Sequence, residues 1–241
     1  MPPLSPAELG LAAGAIAVGG LVHGSIGIGF VLIAAPVVGL IEPRALPALF
    51  VLLGFPMEIW MVMRERAAVD VPGFIQMVGG RALGTFAAFL VLIVVSRQLL
   101  TVLIGGAIIV AAVLTWRLTG FRWGTGSRVV AGSVSGLMGT VAAVGGPALA
   151  LAYQNREASE LRATLAATFL ATDLLAVAAL VASDLLQWWH AQLALMVLPA
   201  ELMGVALSGR LIRRLDAVAV RMGVVLIAIV GGASVALKAI V

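Results

Sequence analysis

The chain has no cysteine, two histidines, one tyrosine and, among its 241 residues, only 15 Lys or Arg and 11 Asp or Glu. Each shortage excludes something. Without Cys there is no disulfide framework, no thiolate nucleophile and no sulfur-ligated metal. Two histidines, His23 and His190, leave almost nothing from which to build a multi-histidine site. Charged residues make up 11% of the chain and mean hydropathy is +1.17. Globular proteins carry about a quarter charged residues. So little polar surface rules out a soluble enzyme, a nucleic-acid module and a disordered tail. The sequence pI near 11 would ordinarily suggest a polyanion partner. Yet the cations are 14 Arg and one Lys scattered singly or in twos and threes between apolar runs. That distribution orients a membrane protein and does not make a DNA-binding stripe.

What is present is apolar sequence in long runs. Reading between charges and turn residues gives eight segments: 8–40, 45–63, 71–95, 99–116, 129–152, 161–182, 188–207 and 217–240. Six of them have about the length that spans ~30 Å of hydrocarbon. Trp60, Trp116, Trp123, Trp188, Trp189 and Tyr153 fall at or near segment ends or in connections, as an aromatic belt predicts. Residues 1–8 lack the basic stretch of a signal peptide, so the first helix is expected to be retained.

The first segment is too long for one pass, since its 33 residues would make a helix of roughly 50 Å. It carries Gly24, Gly27 and Gly29 with Pro36 beyond, and the fifth segment carries Gly136, Gly139, Gly145, Gly146 and Pro147. Such clusters break helices. Each of these segments is therefore read as two short helices meeting at a break, so that the chain returns to the face it came from.

The two halves also match each other. Gly20, Gly24 and Gly27 recur as Gly132, Gly136 and Gly139, Arg44-Ala45 as Arg162-Ala163, and Gly84 as Gly204. Small-xxx-small spacing is common in membrane helices and accounts for the glycines alone. It does not account for the shared order of break, Arg-Ala helix start and late Gly. The expectation is an all-α polytopic membrane protein of two inverted repeats, 1–120 and 121–241, in one membrane domain. Each repeat has one glycine-broken helix pair and three full transmembrane helices. If each broken segment returns to its own face, one side holds Arg64, Arg66, Arg117, Arg122, Arg128, Arg156, Arg162, Arg210, Arg213 and Arg214, against Arg44, Arg97 and Lys238 on the other. If each crosses once, the same residues divide almost evenly. The positive-inside rule selects the first topology and puts both termini outside.

Inverted repeats with discontinuous helices hold substrates near the midplane in many secondary transporters. The second piece of a broken helix starts with unpaired amide donors and a partial positive charge, which attract anions. These pieces begin near Gly29 and Gly146. The candidate binding residues are therefore His23, Gly24, Ser25, Gly27 and Gly29 at one break and Gly139, Thr140, Gly145 and Gly146 at the other, with Arg81 between them. The alternative is that the glycines only allow close packing and that Ser25 and Thr140 bond within their own helix. Ionisable groups inside a membrane are functional suspects. Arg81 and Glu201 stand at equivalent repeat positions, and two roles stay open. They form an ion pair with each other, or Arg81 holds the anion while Glu201 carries a proton. Asp173 is the other proton-coupling candidate. Glu58 is read as snorkelling or paired, and His190 as a surface residue.

Gly20-Leu-Val-His-Gly-Ser-Ile-Gly-Ile-Gly with Pro36, and its repeat Gly132-Ser-Val-Ser-Gly-Leu-Met-Gly through Gly145-Gly146-Pro147, resemble the glycine-rich motifs of the sulfite exporter TauE/SafE family of membrane permeases. The likeness runs from about residue 10 to 240. It implies a multi-pass protein of the bacterial inner membrane that moves sulfur oxyanions or organosulfonates, often exporting sulfite. Two departures stand out. Phe30 follows Gly29 where the family usually continues with glycine, and the spacer of residues 140–144 is longer than expected. Arg81 and Glu201 also occupy places expected to be small or apolar.

The function expected is secondary transport of a small anion such as sulfite or a sulfonate, by alternating access with protons as the coupling ion. No cofactor is expected, and no nucleotide-binding loop is visible. Two alternatives belong to other classes. One is a non-transporting assembly factor or receptor. The other is an intramembrane hydrolase using Ser25 with His23, although residues two apart on a helix point about 200° from one another.

Overall fold

The computed structural model describes residues 4–117, 127–153, 155–211 and 217–238. Trp123, Arg122, Arg213 and Arg214, and the side chains of Arg117, Arg210 and Lys238, lie outside what is described. Among the described residues there are ten α-helices: α1 Pro6–Ile26, α2 Phe30–Ile41, α3 Ala48–Glu65, α4 Val71–Leu92, α5 Arg97–Arg117, α6 Ser127–Ala142, α7 Gly146–Tyr153, α8 Ala158–Ala182, α9 Trp188–Leu211 and α10 Ala217–Lys238. Among the described residues there is no β-strand.

Helices α1, α4, α5, α8 and α9 are long and apolar enough to cross a membrane. Helix α3 has 18 residues but carries Glu58, Arg64 and Glu65. The outward faces are as apolar as the core: Leu83 and Phe86 on α4, Leu174 on α8, Leu195 on α9 and Val230 on α10 are each more than 60% exposed. Apolar side chains on both faces of a helix mark a chain solvated by lipid. This is a multi-pass membrane protein.

The first broken segment departs from the expectation of two short pieces. Helix α1 runs for 21 residues and only α2, with 12, is short. The early glycines do not break α1, because they serve as its packing surface. A Cβ at Gly20 would lie 2.9 Å from the Glu201 carbonyl oxygen, and one at Gly24 would lie 2.5 Å from the Ser208 hydroxyl. The break comes at Gly27 and Gly29, whose φ angles of 82° and 109° are those glycine alone adopts freely. At the second break the left-handed residue is Ala143, with φ 58°. Gly145 and Gly146 are there for space, as described below.

Helix α1 lies along α9, and α4 along α6; α3 pairs with α8, α5 with α10, α2 with α10, α5 with α7, α3 with α9 and α4 with α8. Exchanging α1–α5 for α6–α10 maps these pairings onto one another, whereas the α5–α6 contact has no counterpart of like extent. The α4–α6 crossing is tight because Gly80, Gly84, Gly132 and Gly136 bring backbone against backbone.

Contacts also sort the ends of the bundle. At one end Arg162 binds Glu65 at 2.7 Å, Arg64 donates to the Gly24 carbonyl at 2.8 Å, and the Tyr153 hydroxyl donates to Asp70 at 2.7 Å with Arg128 3.2 Å from the same carboxylate. At the other end Arg44 pairs with Glu42 at 2.8 Å. There His190 Nε2 lies 2.9 Å from the Arg44 carbonyl oxygen. Two sequence expectations are corrected by this packing. His190 is 2% exposed and ties α9 to the turn before α3, so it is not a surface residue. Tyr153 stands at a helix end but is fully buried, drawn inward by its bond to Asp70, whereas Trp60, Trp116 and Trp188 are exposed as a belt requires.

Candidate functional site

A cavity of about 60 Å³, space for roughly four to six water-sized groups, opens between the two breaks. One wall is Ile28 to Leu32, the start of α2, and the opposite wall is Val144 to Pro147, the start of α7. The first-turn amides of a helix have no carbonyl four residues behind them. Both sets therefore turn donors and the positive end of a helix dipole toward one space. Gly29 caps α2 with no side-chain hydrogen bond, and Pro147 contributes no amide hydrogen to α7.

Arg81, in the middle of α4, supplies the cation and is 2% exposed. Its Nε donates to Thr172 Oγ1 at 2.5 Å, one terminal nitrogen to Ser135 Oγ at 2.8 Å and the other to Asp173 Oδ1 at 2.9 Å. The Phe169 ring lies under the guanidinium, 4.6 Å from its carbon. Gly145 has to be glycine for this arrangement, because a Cβ there would lie 2.6 Å from Ser135 oxygens and 2.9 Å from the guanidinium.

The partner of Arg81 is thus Asp173, and the open choice between an Arg81–Glu201 ion pair and separate roles is settled against that pair. Helix α8 packs on α4 and offers Thr172 and Asp173 on the facing side, while Glu201 belongs to α9, which packs on α1. Glu201 is fully buried, and neither carboxylate oxygen has a hydrogen-bond partner. Of the two readings of Glu58, snorkelling or paired, the structure shows the pair. The residue is 3% exposed, its Oε1 lies 3.3 Å from His23 Nε2, and its other oxygen has no partner.

Of the residues singled out from sequence, His23, Gly29, Arg81, Gly139, Gly145, Gly146 and Asp173 line the cavity. Gly24, Ser25, Gly27, Thr140 and Glu201 do not. The Ser25 hydroxyl donates to the Leu21 carbonyl of its own helix at 2.8 Å. Thr140 donates across to Thr85 at 3.1 Å, and Gly27 packs on Arg162. The Ser25–His23 pairing a hydrolase would need is absent, since each group is engaged elsewhere. Sequence reasoning missed Ser135, Thr172, Phe169 and Gly54. The spacing of Ser135 and Thr172 along α6 and α8 gives no sign that both reach one guanidinium.

A family model described as sulfite exporter TauE/SafE matches residues 11–235. The chain belongs to the TauE/SafE family. This is a family of membrane transporters, and its described activity is that of a sulfite exporter. No curated protein and no solved structure matches the chain. In this TauE/SafE member the glycine-rich motifs pack helices and end at the two breaks, and Arg81 and Asp173 stand with those breaks around one cavity.

Proposed function

We propose that the protein is a secondary transporter that moves a small sulfur-containing anion, sulfite or an organosulfonate, across the bacterial cell membrane by alternating access, coupled to protons. The observation that carries this reading is the convergence of two helix N-termini and one buried guanidinium on a single small cavity. Amide donors and a fixed cation in a water-poor site suit an oxyanion whose oxygens accept several hydrogen bonds. Arg81 is the central contact, the amides at the starts of α2 and α7 are the flanking donors, and His23 is a further polar group in the cavity wall.

Asp173 and Glu201 are proposed as the proton carriers. Asp173 lies in the cavity wall, and Glu201 is a buried carboxyl with nothing to hold its charge. The halves 1–120 and 121–241 are proposed as inverted repeats, a reading supported by the self-mapping helix pairings. The gathering of Arg64, Arg128 and Arg162 at one end supports a cytoplasmic side there, with both termini outside.

The test is flux of labelled sulfite, taurine and sulfoacetate into proteoliposomes under an imposed pH gradient. Accumulation that follows the gradient is expected for at least one of them. Folded protein that moves no sulfur anion would refute the substrate class. Stable co-purification with another membrane protein, with function indifferent to Arg81→Ala, would instead favour an assembly factor or receptor.

A further inference from the structure

We infer that Asp173 is a built-in competitor of the cargo: an anion takes over the Arg81 guanidinium as Asp173 releases it, and Asp173 then takes up one proton, so one anion and one proton are bound together. This rests on the reading of the cavity as an anion site.

The geometry of the guanidinium is the first support. Ser135 and Thr172 are neutral acceptors on two different helices, and Thr172 is itself held by the Thr168 carbonyl at 2.7 Å. Arg81 therefore stays in place when Asp173 lets go. Asp173 Oδ1 sits 2.9 Å from the guanidinium, where an oxygen of the cargo would sit. Its other oxygen faces Gly54, where a Cβ would come within 2.9 Å of it. The carboxylate has that space only because α3 has glycine there.

Charge is the second support. Arg81 and Asp173 together are neutral, and both are almost wholly buried. A cargo anion added to that pair would leave one uncompensated negative charge away from water, which is costly. A proton on Asp173 restores neutrality. It comes from water in the cavity and forms an O–H bond on the carboxylate, and no bond of the cargo is made or broken.

The groups facing Asp173 narrow the choice of proton acceptor. Helix α4 presents Arg81, α3 presents Glu58, and α1 presents His23 behind Glu58. The α6 and α7 side of the cavity, Gly139 and Ala143 to Pro147, has no titratable side chain. The His23–Glu58 pair is thus the one rival within the cavity wall.

Methanesulfonate, which stays anionic throughout the pH range, separates cargo from protein titration. Its binding to the full chain in nanodiscs is measured by calorimetry in buffers of different ionisation enthalpy. The expected result is one proton taken up per anion bound. Affinity falls about tenfold per pH unit on the alkaline side, the slope of a one-proton linkage. Asp173→Asn is expected to bind with no proton uptake and no pH slope. Binding by the wild type without proton uptake overturns the inference and leaves the anion site standing, as does uptake that persists in Asp173→Asn. Folded wild-type protein that binds neither methanesulfonate nor sulfite overturns both. If Asp173→Asn does not fold, Glu58→Gln and Glu201→Gln decide: one proton per bound anion is retained in both whatever the affinity, and loss of that proton in either assigns it to the His23–Glu58 pair or to Glu201 instead.

Discussion

Asp173 reaches across from α8 to the Arg81 guanidinium at 2.9 Å, although the two residues are 92 positions apart in the chain. Breaking a buried pair by removing one partner costs about 3–5 kcal/mol, because the other charge is left uncompensated. Arg81→Ala and Asp173→Ala are each expected to lower stability by that order. The double variant should lose less than the two single losses combined. Thermal unfolding in detergent, run as a double-mutant cycle, measures the difference. A double variant that loses the full combined amount would mean the two residues are not energetically coupled.

Glycine substitutions should separate packing from propensity. A Cβ at Gly84 would run into the Ser133 carbonyl oxygen, whereas one at Gly79, on the same helix, would meet nothing within 4 Å. Gly84→Ala is expected to destabilise by about 2 kcal/mol or more through overpacking of the α4–α6 crossing. Gly79→Ala should be neutral or stabilise by about 0.5–1 kcal/mol. The comparison of midpoints in one detergent reads both.

Ala143 holds φ at 58°, a conformation that costs a residue with a Cβ roughly 1–2 kcal/mol. Ala143→Gly is expected to recover part of that, offset by the greater freedom of glycine in the unfolded chain. A rise in unfolding temperature is the expected outcome. A fall would show that the Ala143 methyl, on the cavity wall, contributes more by packing than its backbone costs.

Burial alone would raise the Asp70 carboxyl, but the Tyr153 hydroxyl, the Gly73 amide and Arg128 together hold it below the usual carboxylate range. A carboxyl lowered on folding contributes stability that is fully present above its unfolded value of about 3.9 and is lost as pH falls through the folded value. Unfolding temperature followed from pH 7 down to pH 3 should therefore decline less steeply at the acid end in Asp70→Asn than in the wild type. Tyr153→Phe should cost about 1.5–3 kcal/mol at pH 7, the range for a hydrogen bond to a charged group.

Much of the fold is legible in the sequence because a membrane removes most of the choices. Apolar runs of spanning length have to be helices, and glycine clusters within them mark where helices stop. The division of α1 from α2 and of α6 from α7 follows from that alone. The location of the first break does not, because Gly20, Gly24 and Gly27 look alike in sequence while two pack and one turns. The candidate site is legible only in part for a related reason. Arg81, Glu201 and Asp173 stand out as charges among apolar residues, and their repeat positions suggest Arg81 with Glu201. Which carboxylate meets the guanidinium is decided by helix packing, and α4 lies against α8 while α9 lies against α1. Ser135 and Thr172 carry no signal, because an uncharged hydroxyl in an apolar helix most often bonds back to its own backbone.

The separation of Arg81 from Asp173 along the chain has a consequence for biogenesis. At about 5–20 residues per second of synthesis, the 92 residues between them take roughly 5–20 s to emerge. Through that interval α4 carries a cation whose partner carboxylate, Asp173, is not yet made. Lipid is a poor place for it to wait, so the nascent α4 has to rest in a hydrated insertion channel or keep its arginine at the membrane surface. The ribosome's pace thereby becomes part of how this buried charge reaches its berth.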